Sequence, residues 1–254
     1  MNQANKDKIS ALLKSIETGD PGPVGVVNEA KYIQHNPQTQ EGSEGLAVLF
    51  KRLSLTNPRV NIVRAFEDGD YVFAHTEYDF ATRRIGFELF RFEDGQAVEH
   101  WDNIQPRLGP NASGRIMVDG PTESTDHDKT EENRALIKSF VKTVLIDGKL
   151  DQLPDFITDG QYAEHNPGLS DDVAALTAAL SATENGNRVI NYQTQHRIHA
   201  EGNFVLSVCE GEHSGKHSAL YDLFRIENGK IVEHWDTTEK IAPRSEWKNE
   251  NGKF

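Results

Sequence analysis

Cysteine is almost absent: Cys209 is the only one in 254 residues. A lone thiol excludes an internal disulfide and points to a reducing compartment. Positive charge is also scarce, with 27 Lys and Arg against 40 Asp and Glu and a formal net charge of −13. Neither half carries a basic stripe, so neither nucleic acid nor an anionic membrane is an expected partner. Long apolar runs are missing too, which leaves no candidate for a signal-peptide core or a membrane span. These absences predict a soluble, cytoplasmic protein whose negative charge serves solubility.

What the chain does have, it has twice. Residues 89–102 read LFRFEDGQAVEHWD and residues 223–236 read LFRIENGKIVEHWD, identical at ten of fourteen positions. Upstream, YIQHNP at 32–37 is answered by YAEHNP at 162–167, and ALLKSI at 11–16 by ALIKSF at 135–140. Blocks in the same order in both halves mark an internal duplication. The expected division is a domain over 1–108, a linker over 109–128 and a second domain over 129–254. Gly, Pro, Ser, Thr and Asp crowd residues 106–129, which is linker chemistry. The offset between copies grows from 124 at the first helix to 130 at HNP and 134 at the last hairpin. A segment after the first copy's helix is therefore trimmed, where Gly19, Pro21, Gly22, Pro23 and Gly25 cluster.

In the second half, Asp128 and Glu131 have capping-box spacing for a helix over 131–146, with Ala135, Leu136, Phe140, Val141 and Val144 as its apolar stripe. Further helices are expected at 43–54 and 171–182. Alternation predicts strands at 59–66, 71–80, 85–92 and 97–105, then at 188–200, 203–213, 218–226 and 231–238. Asp94-Gly95 and Asn228-Gly229 carry the two-residue hairpin signal. Each half is helices first and then an antiparallel meander, an α+β arrangement. The charged tail, 246–254, is expected to be solvated or frayed.

A two-residue turn fixes the register of the last hairpin. Without a bulge, Glu88, Phe90, Phe92, Ala97, Glu99 and Trp101 share one face, as do Asp222, Phe224, Ile226, Ile231, Glu233 and Trp235. Its apolar bulk predicts that this face meets the helices, with its carboxylates raised in pKa by burial. His100, Asp102, His234 and Asp236 then fall on the opposite face. A single bulge would exchange the faces beyond it.

Helices, YxxHNP and a meander ending in VEHWD resemble the SnoaL-like branch of the NTF2-like (cystatin-like cone) superfamily. Within it the chain is similar to the subgroup of predicted SnoaL-like aldol-condensation-catalysing enzymes. The resemblance implies two tandem cone domains, each a curved antiparallel sheet around helices, forming an intramolecular pseudo-dimer. It implies a pocket for a small, mostly apolar ligand, without cofactor or metal. Its characterised relatives include polyketide cyclases, ketosteroid isomerases, scytalone dehydratase and limonene-epoxide hydrolase, while other members only bind ligands. Ketosteroid isomerases place a base aspartate before the proline, where this chain has Asn36 and Asn166. The SnoaL cyclases carry an acid/base aspartate near the end of the last strand, for which Asp102 and Asp236 are the local candidates.

The candidate acid/base residues are therefore His35, Glu99, Asp102, His165, Glu233 and Asp236. Asn36, Glu88, Phe90, Trp101, Asn166, Asp222, Phe224 and Trp235 are candidates for ligand contact, and His100 and His234 for an interface network. Each has a plainer alternative: His35 and His165 as turn-fixing histidines, Glu99 and Glu233 as buried ion-pair members, and the tryptophans as core. Glu88 and Asp222 have Arg83, Arg84 or Lys216 as possible ion partners. Cys209 fits a small buried hydrophobe. His75, His196, His199, His213 and His217, not kept between copies, fit the strand surface. No spacing supports a metal set built on His35 and His100. Two functions follow: an acid/base enzyme (isomerase, aldol-type cyclase, dehydratase or hydrolase), or a ligand-binding module without catalysis.

Overall fold

The structure, a computed structural model, describes residues 4–254. It is a mixed α+β chain that divides into two compact units, Met1–Arg107 with Ile241–Phe254, and Leu108–Lys240.

The first unit opens with α1 (Asn5–Thr18), whose Ile9, Leu12, Leu13 and Ile16 recur at helical spacing and are buried. Gly19, at φ 71°, closes it in the left-handed conformation. A short 3-10 turn, Gly22–Val26, occupies the trimmed segment. There follow β1 (Ile33–Gln34), α2 (Gly42–Ser54) and four long strands: β2 (Arg59–Asp68), β3 (Tyr71–Asp79), β4 (Arg83–Glu93) and β5 (Gln96–Pro106). The sheet order is β1-β5-β4-β3-β2, antiparallel except that β1 runs parallel to β5. Val60, Val72, Ala74, Tyr78, Phe90, Phe92 and Ala97 form one core with the helix residues.

In the second unit, α3 (Thr130–Phe140) runs on into a π-helical turn, Val141–Ile146. Next come a 3-10 turn at Leu150–Gln152, α4 (Leu153–Phe156), β6 (Ala163–Glu164), α5 (Val173–Ser181) and the small β7 (Thr183–Glu184) and β8 (Asn187–Arg188). The meander is β9 (Ile190–Glu201), β10 (Phe204–His213), β11 (Lys216–Glu227) and β12 (Lys230–Lys240), ordered β6-β12-β11-β10-β9. The order thus repeats that of the first unit, strand for strand. Among the described residues no helix is long and apolar enough to cross a membrane.

The expected strands all form, and both hairpin turns have positive φ at both residues: Asp94 51° and Gly95 77°, Asn228 51° and Gly229 72°. The two-residue parallel strands β1 and β6 had no sequence signal. Several expectations need correction. The capping box is absent: Asp128 lies inside a 3-10 turn, His127–Lys129, and no side chain caps α3. Ala135 is exposed and Ile137 takes its place in the buried stripe, because the helix is rotated about its axis relative to the expected face.

The presumed linker and the tail are packed segments. Asn111 and Met117 are buried in the second unit, and Asn249 and Lys253 in the first. The two arms make matching contacts. Asn111 donates its side-chain amide to the Glu164 carbonyl, as Asn251 does to that of Gln34. The Ile116 carbonyl meets His165 Nδ1, as the Gly252 carbonyl meets His35 Nδ1. Gly120 lets the first arm pass at φ 93°, where a Cβ would lie 2.4 Å from Glu233 Oε1.

Candidate functional site

The decisive local feature is a β-bulge in each last hairpin. Phe92 pairs with Ala97 as expected, but Arg91 then pairs with Glu99, which leaves Val98 as the extra residue. Val232 is the extra residue between Ile231 and Glu233. Beyond the bulge the faces exchange. Phe90 now opposes His100 and Glu88 opposes Asp102, while Leu89 opposes Trp101. The second copy sets Phe224 against His234 and Asp222 against Asp236. His100, Asp102, His234 and Asp236 therefore join the phenylalanine face, and Glu99, Trp101, Glu233 and Trp235 leave it.

On the departed face, His35 Nε2 lies 2.9 Å from Glu99 Oε1 and Arg91 Nε donates to Glu99 Oε2 at 2.7 Å. His165 and Arg225 hold Glu233 in the same way, at 2.8 and 2.6 Å. Burial alone would raise both carboxyls. Hydrogen bonds from His35 and Arg91, or from His165 and Arg225, outweigh it and hold them below their ordinary value. This reverses the expected direction, because each carboxylate has two donors. His35 stacks on Trp101 and His165 on Trp235, each with centroids 4.7 Å apart, and Trp235 Nε1 donates to the Asp119 carbonyl. Their arrangement is the hydrogen-bonded turn and ion pair, away from the phenylalanine face.

On the phenylalanine face of the second unit lies a cavity of about 40 Å³. Apolar side chains including Phe140, Leu145, Leu169, Leu176, Leu180 and Phe224 line it, and Tyr162, Tyr192, Asn166, Asp222, His234 and Asp236 supply its polar end. His234 stands between two carboxylates, with Nδ1 3.0 Å from Glu164 Oε1 and Nε2 3.0 Å from Asp222 Oδ1. Burial favours the neutral ring, but the Glu164 charge and hydrogen bonds to Asp222 and Glu164 push His234 well above its ordinary value. Tyr192 donates to Asp222 Oδ1 at 2.9 Å, and Tyr162 donates to Glu164 Oε2. Asp222 Oδ2 is buried and, among the described residues, has no hydrogen-bond partner. Asn166 Nδ2 donates to Asp236 Oδ2 at 2.8 Å. Burial, then the nearby Glu164 and Asp222 charges, outweigh His234 and Asn166 and push Asp236 up to about 7.

The first unit repeats the cluster with changes. His100 Nδ1 meets Gln34 Oε1 at 2.9 Å, and its Nε2 meets Glu88 Oε2 at 2.8 Å. Tyr78 donates to Glu88, and Asn36 Nδ2 donates to Asp102 Oδ2 at 2.6 Å. Lys253, buried at 3%, brings Nζ within 3.4 Å of Asp102 Oδ1. The Tyr32 hydroxyl, which has Gln34 where Tyr162 has Glu164, is buried and has no hydrogen-bond partner among the described residues. Glu88, His100 and Asp102 each bring one donor atom within 4.8 Å of the others. Gln34, Tyr78, Asn36 and the Lys253 ammonium already occupy those atoms, and an ammonium opposes a cation there.

No family model matches the chain, and no curated protein matches it in sequence. Solved structures do match. TsrD from Streptomyces laurentii has 20% identity and a TM-score of 0.36, over 41% of this chain and 91% of its own. An LEH-like epoxide hydrolase from M. tuberculosis has 17% identity and a TM-score of 0.35, over 40% and 82%. An NTF2-like protein of unknown function from Cytophaga hutchinsonii has 16% identity and a TM-score of 0.36, over 42% and 94%. The neighbours are SnoaL-like and NTF2-like proteins. What the pocket does has to be argued from its side chains.

Of the expected site residues, Asn166, Asp222, Phe224, His234 and Asp236 come together at the cavity, and Asn36, Glu88, Phe90, His100 and Asp102 form the matching cluster. His100 and His234 are cluster members on this face and not on the opposite one, as the unbulged register had them. Glu88 and Asp222 pair with His and Tyr, not with Arg83, Arg84 or Lys216. Glu164, Tyr162, Tyr192 and Lys253 were not among the candidates. The doubled YxxHNP block contained the signal for two of them, since Tyr162, Glu164 and Asn166 alternate onto one side. His75 and His199 are buried, 0% and 7% exposed, not on the strand surface. Cys209 is free and buried, and burial pushes its thiol up to about 12.

Proposed function

We propose that the second unit is a small-molecule acid/base site acting on a small, mostly apolar, carbonyl-type substrate. One observation carries this reading. Two carboxyls share one apolar cavity: among the described residues Asp222 has a buried oxygen without a hydrogen-bond partner, and Asp236 is pushed up to about 7. An open carboxylate oxygen beside a carboxyl that keeps its proton suits a base and an acid role. Asp222 Oδ2 takes a proton from the carbon beside a carbonyl, and Asp236 in its acid form hydrogen-bonds the oxygen where charge develops. His234, fixed between Glu164 and Asp222, holds the base in place without entering the reaction. The resting cavity, about 40 Å³, has room for roughly two or three waters. Substrate entry therefore requires displacement of wall residues such as Leu169 and Leu176.

A panel of enolisable carbonyl compounds, read by exchange of α-hydrogen for deuterium, tests the proposal. Exchange is expected with the parent chain and not with Asp222→Asn. Equal exchange in both would overturn it. The repeated strand order and the doubled HNP block support a reading as two tandem NTF2-like domains, so the same assay should be applied to Glu88→Gln in the first unit.

A second reading is binding without catalysis. It is favoured by the mutual pairing of most polar groups, as when Asp222 Oδ1 accepts from both Tyr192 and His234. Saturable binding of a carbonyl compound with no exchange would select it.

A further inference from the structure

The two arms differ at one matched position. In the first unit the carbonyl that meets His35 Nδ1 belongs to Gly252, and the next residue is Lys253. In the second the carbonyl that meets His165 Nδ1 belongs to Ile116, and the next residue is Met117. Both side chains are buried, at 3% each. An ammonium is expensive to bury without an opposite charge, and Lys253 Nζ sits 3.4 Å from Asp102 Oδ1. The segment that carries it is anchored. Asn249 Nδ2 donates to the carbonyls of Asn36 and Thr39, Asn251 Nδ2 to that of Gln34, and Lys248 N to that of Pro37.

We propose that Lys253 is a positioning residue that supplies the first unit's Asp102 with a buried counter-charge, and that Lys253 against Met117 at the matched arm position is what sets the two units' carboxyls apart. The inference rests on the acid role proposed for Asp236. Groups facing Asp102 are Lys253 from the arm, Asn36 after β1, Tyr32 before it, Tyr78 on β3, Glu88 on β4 and His100 on β5. Among these Lys253 alone carries an ammonium group. Around Asp236 stand Glu164, Asp222, His234, Asn166, Tyr162 and Tyr192, and the arm residue that corresponds to Lys253 is the apolar Met117, whose sulfur accepts from Leu108 N. The second unit is then suited to protonate a neutral ligand group, while Asp102 in the first is taken up by Asn36 and Lys253.

The test is a carbon-13 carboxyl NMR titration of the full chain, with signals assigned by loss in Asp102→Asn and Asp236→Asn. In Lys253→Met, Asp102 should take up its proton at a pH higher by about 1–3 pH units than in the parent, the usual effect of removing a close opposite charge. In Met117→Lys, Asp236 should move the opposite way. Lys253→Arg should leave Asp102 where it was. An Asp102 signal that does not move in folded Lys253→Met overturns the inference. If Lys253→Met fails to fold, an unmoved Asp236 in Met117→Lys does so. The experiment reads protonation and not turnover, so its failure is distinct from retained deuterium exchange in Asp222→Asn.

Discussion

The two polar clusters sit on the same strand order and differ in several side chains. His100 is held by Gln34 and Glu88, and His234 by Glu164 and Asp222. Beside them, Asp102 meets a lysine while Asp236 meets burial and two more carboxylates. The difference teaches that duplicated geometry does not duplicate chemistry. One amide in place of one carboxylate changes the charge seen by a buried imidazole, and a buried imidazole responds strongly to charge.

The largest effect separating the clusters should be catalytic. Asp236→Asn is expected to slow exchange by about 10²–10⁴-fold, the usual worth of a positioned acid or base, while Asp102→Asn leaves it unchanged. Equal losses would make both units active and dissolve the asymmetry.

Next comes Glu164→Gln, which rebuilds the first unit's arrangement in the second. His234 should then lose its proton at a lower pH, as followed by proton NMR of its ring. The charge-assisted bond should cost about 1.5–3 kcal/mol in urea unfolding. The pH dependence follows from the direction of the shift. A histidine raised above its unfolded value of 6.5 stabilises fully below that pH and loses the contribution as pH climbs through the folded value. Glu164→Gln should therefore flatten the alkaline fall in stability.

Asp236 acts in the same sense over a different window. Its folded form keeps a proton that the unfolded chain releases, so its contribution falls as pH rises from about 3.8 to about 7. Denaturant midpoints for Asp236→Asn across that window should lack this fall.

The smallest expected effect concerns the arms. Gly120→Ala places a Cβ 2.4 Å from Glu233 and 2.7 Å from Trp235 at φ 93°, which should cost about 1–3 kcal/mol. Arg244→Ala on the other arm removes an exposed pair with Glu250 and a cation–π contact with Trp247 and should stay within about 1 kcal/mol. Thermal unfolding of the two variants compares them directly.

Much of this was legible in the residues. The doubled LFR and VEHWD blocks located the hairpins, Asp94-Gly95 and Asn228-Gly229 fixed their turns, and alternation found every long strand. The site was half legible. Asp222, Asp236, Asn166 and Phe224 were singled out, but the register placed Glu233 where His234 belongs. Val98 and Val232 are ordinary strand residues, with no glycine to mark a bulge, so parity counting had nothing to stop it. The arms were misread for a different reason. Asn111 and Asn249 satisfy backbone carbonyls far away in sequence, and local composition gives no view of such contacts.

The arm built from residues 249–254 has a consequence for synthesis. Its asparagine Asn251 closes onto Gln34 across 217 positions, so that strand edge waits for residues translated after every strand of both sheets. The second unit's arm, residues 108–120, precedes its own helices and strands. The half that is read first is therefore completed last, and until then His35, Asn36 and Asp102 lack the cover that the finished chain supplies.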